Sequence, residues 1–94
     1  MKVVYLKSFL DDIKKIKDKK LKKKIKEFIL EINELENIDQ IQNIKKLKGY
    51  TIAYRARFGD YRLGIYMQTN GSIELARFVK RNDIYKFFPK KNIK

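Results

Sequence analysis

The arginines of this chain all lie in its second half, as Arg55, Arg57, Arg62, Arg77 and Arg81. A guanidinium is a planar, permanently charged fork whose donors match phosphate oxygens in pairs. Arg55 and Arg57 are two apart, the spacing that puts two side chains on one face of a strand. Arg62 lies just across the Gly59-Asp60 turn and can reach the same face. Taken singly, each of these residues fits a solvated strand face equally well. The chain has no Cys and no His. That excludes thiolate chemistry, disulfides and Cys-ligated zinc, and it removes the usual acid–base group at neutral pH. Asp83, Glu74, Asp60 and Tyr85 are the remaining candidates for a general base.

The charge balance points the same way. Lys and Arg number 24 against 11 Asp and Glu, a net +13. So much like charge costs folding energy through self-repulsion, and a polyanionic partner relieves it. Nucleic acid, an anionic membrane surface or an acidic protein would each serve. Frequent Lys, Ile and Asn also fit AT-rich coding, but such a bias does not favour Arg.

Certain elements must position these residues. A chain of 94 residues with 44% hydrophobic content is long enough for one modest core, so a single domain over 1–94 is expected. Val3, Val4, Tyr5 and Leu6 read as a first strand. Ser8 reads as an N-cap with Asp11 as its capping-box partner, opening a helix from about Ser8 to Lys17. Leu21, Ile25, Phe28, Ile29, Ile32 and Leu35 trace one face of a second helix. Its early turns carry Lys and its later turns Glu, against the preference of the helix dipole. Asn37 to Lys48 is polar, with Ile38, Ile41, Ile44 and Leu47 every third residue, and suggests a loop with a short helix. Strands follow over Thr51 to Phe58, Tyr61 to Met67 and Ile73 to Val79, joined by turns at Gly59-Asp60 and Asn70-Gly71. Strand alternation sets Arg77 with Ile73 and Leu75, in or beside the core. A short helix over Asn82 to Phe88 is stopped by Pro89, and the tail from Lys90 to Lys94 is expected to fray. The fold class is therefore α+β. Two N-terminal helices pack on a mainly antiparallel twisted sheet in the order β-α-α-(short α)-β-β-β-α. With no signal-peptide run and no apolar stretch of about 20 residues, a cytoplasmic location is expected.

The segments Leu47-Lys48-Gly49, Tyr54-Arg55-Ala56-Arg57, Gly59-Asp60-Tyr61-Arg62-Leu63 and Lys80-Arg81-Asn82-Asp83-Ile84-Tyr85 resemble, in order and spacing, the RelE/ParE superfamily of bacterial toxins. With the strand–helix–helix start, the resemblance covers nearly the whole chain. It implies a RelE-like fold and a toxin held inactive by a cognate antitoxin, expected to be acidic or mixed in charge and partly helical, in a hetero-oligomer. RelE-like members cut mRNA in the ribosomal A site without a cofactor or metal, whereas ParE-like members inhibit DNA gyrase and are not nucleases. Carried over position by position, the RelE-like pattern makes Arg55, Arg57, Arg62, Arg81 and Tyr85 the catalytic candidates. Lys46, Lys48, Lys80 and Lys86 are the candidate RNA contacts.

RNA is cut without metal when its 2′-hydroxyl attacks the adjacent phosphorus. Guanidiniums stabilise the charge that builds on phosphorus, and a Tyr stacked on a base orients the attack. The chain departs from the RelE-like pattern at the proton acceptor. Where that pattern has a Lys pair, Arg55 and Arg57 stand here, and Arg does not give up its proton in proteins. The leading expectation is a ribosome-dependent endoribonuclease. A gyrase inhibitor is the alternative, and a general RNA- or membrane-binding protein is the third reading.

Overall fold

A computed structural model of the chain describes residues 1–37, 40–41 and 43–89. The elements are β1 (Val3–Tyr5), α1 (Lys7–Lys14), α2 (Lys19–Glu34), β2 (Ile44–Lys46), β3 (Ala53–Phe58), β4 (Tyr61–Met67), β5 (Ile73–Lys80) and α3 (Ile84–Phe87). One five-stranded sheet runs in the order β1-β5-β4-β3-β2. β1 lies parallel to β5, and the remaining neighbours are antiparallel. This is the expected α+β arrangement of two N-terminal helices on a mostly antiparallel sheet.

Alternation along the strands makes two apolar layers rather than one. Ala56, Leu63, Ile65, Ile73, Leu75 and Phe78 meet Phe9, Ile25, Phe28 and Ile32 of the two long helices. Residues of opposite parity, Ala53, Tyr66 and Ala76, join Leu47, Ile84 and Phe88 on the other face. The apolar stripe of α2 is therefore spent on the core, and among the described residues no helix is long and apolar enough to cross a membrane. Tyr66 is buried, Tyr54 packs against the first layer, and Tyr61 stacks on Phe78 at 5.1 Å, so these three rings are sheet packing.

Several local expectations change. α1 begins at Lys7 with Leu6 as its cap residue, so Ser8 is inside the helix and does not cap it. The Ser8 hydroxyl instead donates to the Ala76 carbonyl at 2.5 Å. Asp11 pairs only loosely with Lys7, at 3.9 Å on the exposed side. Asp18 caps α2, accepting from the amides of Lys20 and Leu21 at 2.9 and 3.2 Å.

The short helix expected within Asn37 to Lys48 falls partly on Ile38, Asp39 and Gln42, which lie outside the described residues. Of the rest, Gln40 donates to the Asn37 carbonyl in a single tight turn, and Ile44–Lys46 form strand β2, paired with β3. The threefold spacing of Ile41, Ile44 and Leu47 has a different cause from a helix. Ile41 and Ile44 pack in the first layer and Leu47 in the second, as the chain passes from one face to the other. Asn43, at φ 63°, makes the bend before β2. Lys90 to Lys94 also lie outside the described residues.

Candidate functional site

Three of the predicted residues are set by the sheet register alone. Arg57 stands directly opposite Arg62, and Arg55 opposite Gly64. Directly opposed residues point to the same face, with Cβ atoms about 4.5–5.5 Å apart. Arg55, Arg57 and Arg62 thus share the face that carries the second apolar layer, as strand alternation predicted.

Arg62 is the buried member, 6% exposed. One terminal nitrogen donates to the Gly59 carbonyl at 2.7 Å and to the Tyr61 carbonyl at 2.9 Å, which fixes the guanidinium beneath the β3–β4 turn. Its Nε is buried without a hydrogen-bond partner. No carboxylate among the described residues pairs with it. Burial, then the neighbouring cations Arg57, Arg55 and Arg81, hold the Arg62 guanidinium below its ordinary pKa, while Tyr85 acts in the opposite sense. A desolvated cation among cations is unfavourable, and an anion brought to it recovers the lost interaction.

Arg81 follows the end of β5 and is exposed. Its backbone amide donates to the Asp60 carbonyl at 2.8 Å, tying it to the same turn that holds Arg62. Tyr85 lies on α3 between two buried anchors, Ile84 and Phe88. Phe88 packs on Tyr66, with ring centroids 4.8 Å apart, and over Gly64. A Cβ at position 64 would lie 2.6 Å from the Phe88 ring, so the ring's seat requires glycine there. With its neighbours locked inward, Tyr85 is turned outward and is 60% exposed. Tyr85 therefore does not cover the core, and Phe88 takes that role.

Two adjoining hollows lie along this face. The smaller, about 240 Å³, is lined by Asn43, Ile44, Lys45, Arg55, Arg57 and Arg62. The larger, about 550 Å³, has Lys46, Lys48, Tyr50, Tyr85 and Phe88 among its walls. Lys45 and Arg55 line both. One hollow is thus a cationic cup with room for a phosphate group, and the next is a basic groove with the exposed Tyr85 and the half-buried Tyr50 in its walls. Together they suit a phosphodiester and its adjoining base.

Of the predicted RNA contacts, Lys46 and Lys48 line the larger hollow. Lys80 and Lys86 are exposed but line neither, and Lys86 is engaged with Asp83 at 3.2 Å. Lys45 and Tyr50 were not anticipated. Lys45 reaches the site because β2 pairs with β3, Lys45 opposite Arg55.

Arg77 is placed differently from the sequence expectation. Ile65 pairs with Leu75 but Gly64 with Arg77, so Ala76 is an extra residue that breaks the alternation. Arg77 consequently shares its face with Gly64 rather than with Leu75. Its guanidinium forms a two-point pair with the buried Asp12 carboxylate, at 2.8 and 3.0 Å, and lies 4.6 Å from the centroid of the Phe87 ring. Two of the carboxylates considered from sequence as proton acceptors are engaged. Glu74 accepts from Gln68 at 2.8 Å, and Asp83 is the carboxylate held by Lys86.

Known proteins agree with this architecture. No family model matches the chain. Toxin RelE3 of Methanocaldococcus jannaschii is 38% identical over 91 residues, spanning 95% of this chain and 100% of that protein. A chain in the crystal structure of the RelB-RelE antitoxin-toxin complex from Methanococcus jannaschii superposes with a TM-score of 0.78 at 34% identity, covering 92% of this chain and 99% of that one. A chain of the archaeal RelE-RelB complex from Pyrococcus horikoshii shares the fold, with a TM-score of 0.69 at 22% identity over 85% of this chain and 93% of that one. These relatives are archaeal, so they do not carry the bacterial origin expected from the resemblance. At the identity and coverage of the first relative, the chain belongs to the RelE family of toxins.

Proposed function

We propose that this chain is the toxin of a toxin–antitoxin pair and acts as a ribosome-dependent mRNA endoribonuclease. The observation that carries this reading is Arg62, a buried guanidinium that has no carboxylate partner among the described residues and lines one hollow with Arg55 and Arg57. Such a group stabilises an anion that arrives from outside the chain. A phosphodiester in this hollow, its next base against Tyr85 or Tyr50, has its 2′-oxygen free to attack phosphorus. The guanidiniums then bind the extra negative charge of the pentacoordinate transition state more strongly than that of the ground state, which is what accelerates the step. The products are a 2′,3′-cyclic phosphate and a 5′-hydroxyl. Arg55, Arg57 and Arg62 act on the phosphate, Arg81 adds charge at the rim, and Tyr85 orients the base. Lys46 and Lys48 hold the flanking backbone.

The partner in this reading is a RelB-like antitoxin, as in the complexes formed by the Methanococcus and Pyrococcus relatives. A net charge of +13 favours an acidic or mixed-charge segment, whose binding weakens with salt.

The test is 5′-end mapping of a defined mRNA in a cell-free translation reaction, with wild type, with Arg81→Ala, and with wild type lacking ribosomes. Cuts are expected only with ribosomes, and at a rate reduced about 100-fold by Arg81→Ala. An intact message with wild type contradicts the nuclease reading. Inhibition of DNA gyrase supercoiling in that case would establish the ParE-like activity instead.

A further inference from the structure

The cleavage proposed above needs a group to take the 2′-hydroxyl proton; of the candidates named so far Tyr85 lines the larger hollow and not the one that holds the arginines, and the others are unsuited. Arg55, Arg57, Arg62 and Arg81 keep their protons. Glu74 and Asp83 are engaged elsewhere. Asp60 lines a different hollow, toward α2, with Asp18, Lys20 and Lys24. One residue of the cationic hollow differs in kind from its neighbours. Lys45 carries an amine that can exist without its extra proton, and a neutral amine is a competent base.

Its placement follows from the register. Lys45 stands opposite Arg55 on the β2–β3 ladder, as Arg62 stands opposite Arg57 on the β3–β4 ladder. The three strands thus present Lys45, Arg55, Arg57 and Arg62 on one face. Lys45 and Arg55 are the residues common to the smaller, cationic hollow and the aromatic groove. A nucleotide with its phosphate in the first and its base in the second has its ribose between them, next to Lys45. Among the described residues Lys45 has no carboxylate partner to hold its charge.

We propose that Lys45 is the general base of the cleavage, standing one strand away from the arginines that bind the phosphate. This inference rests on the nuclease reading and adds the acceptor that reading lacks. The neutral Nζ takes the proton of the 2′-hydroxyl while the 2′-oxygen forms its bond to phosphorus. The bond from phosphorus to the 5′-oxygen breaks, and the leaving oxygen takes a proton from water. The resulting hydroxide recovers a proton from the Lys45 ammonium, so the protein returns to its starting form. The titratable and charged groups that line the two hollows with Lys45 are Lys46, Lys48, Tyr50 and Tyr85 in the larger, Arg57 and Arg62 in the smaller, and Arg55 in both. Of these, Lys45 is the one that shares the smaller hollow with the arginines and can lose a proton.

The experiment compares wild type, Lys45→Arg and Lys45→Met in the ribosome-dependent cleavage reaction, under single-turnover conditions from pH 6 to 9. Binding of a 2′-O-methyl RNA, which lacks the attacking hydroxyl, is measured in parallel by fluorescence anisotropy. The wild-type rate is expected to rise with pH. Lys45→Arg keeps the charge, so it should bind the methylated RNA within about threefold of wild type yet cleave about 100-fold more slowly with a flattened pH profile. Lys45→Met should lose cleavage to the same extent. If Lys45→Arg cleaves like wild type with the same pH dependence, Lys45 supplies charge alone and the inference is overturned. If wild type leaves the message intact, the nuclease reading itself fails and takes the inference with it.

Discussion

Arg62 and Arg77 stand on adjacent strands, and the chain treats them in opposite ways. Arg77 meets Asp12 in a two-point pair, and Asp12 also accepts from the Phe78 amide at 2.8 Å. Beside it, Ser8 takes up the Ala76 carbonyl. β1 stops at Tyr5, so these two α1 side chains satisfy the edge of β5 where no strand continues. Arg62 is more deeply buried yet among the described residues its guanidinium finds two backbone carbonyls and no carboxylate, and cations stand beside it. A paired buried charge fixes structure. An unpaired one held rigidly is poised for an external anion, and the chain accepts the cost of holding it there.

The first way to break this contrast is Asp12→Ala. It leaves Arg77 without its carboxylate and the Phe78 amide without an acceptor. Loss of one member of a buried pair costs about 3–5 kcal/mol, and the partial exposure of Arg77 sets the expectation near the lower figure. For a domain of this size, about 3 kcal/mol lowers the melting temperature by roughly 15 °C. Thermal unfolding followed by circular dichroism measures it. A change of less than about 3 °C would show that the α1–β5 pair is not structural.

Gly64→Ala sharpens the contrast by perturbing the functional face through packing alone. The added methyl meets three ring carbons of Phe88 within 2.8 Å, so α3 must shift and carry Tyr85 with it. Overpacking of this kind costs about 1–3 kcal/mol. Cleavage is expected to fall about tenfold or more while the protein stays folded at 25 °C, because a small misplacement of an orienting group is expensive in rate. Undiminished cleavage would mean that Tyr85 is not positioned by the Phe88 seat.

The two regions also differ in how legible they were. Arg55, Arg57 and Arg62 could be assigned to one face because period-two alternation holds unbroken across the β3–β4 hairpin. Arg77 could not, because the extra residue at Ala76 inverts the parity within β5. The role of Asp12 was not legible, since its partner is 65 residues away and nothing local announces it. Lys45 was hidden for a similar reason. β2 is three residues long and carries no alternation of its own, so only its register with β3 identifies the residue that faces Arg55. Apart from β2, the order of the main helices and strands was readable because their apolar patterns are local. What escaped was set by pairings between distant segments.

The most direct test sets Arg62→Met beside Asp12→Ala, measuring melting temperature and ribosome-dependent cleavage on the same preparations. Arg62→Met removes two hydrogen bonds to carbonyls but also an unpartnered buried nitrogen and a repelled charge. Its stability should stay within about 1 kcal/mol of wild type, while its cleavage falls about 100- to 1000-fold. Asp12→Ala should show the reverse, a much lower melting temperature with near-normal cleavage at temperatures where it is folded. The account is contradicted if Arg62→Met cleaves like wild type, or if it loses as much stability as Asp12→Ala, for then Arg62 serves the fold and not the site.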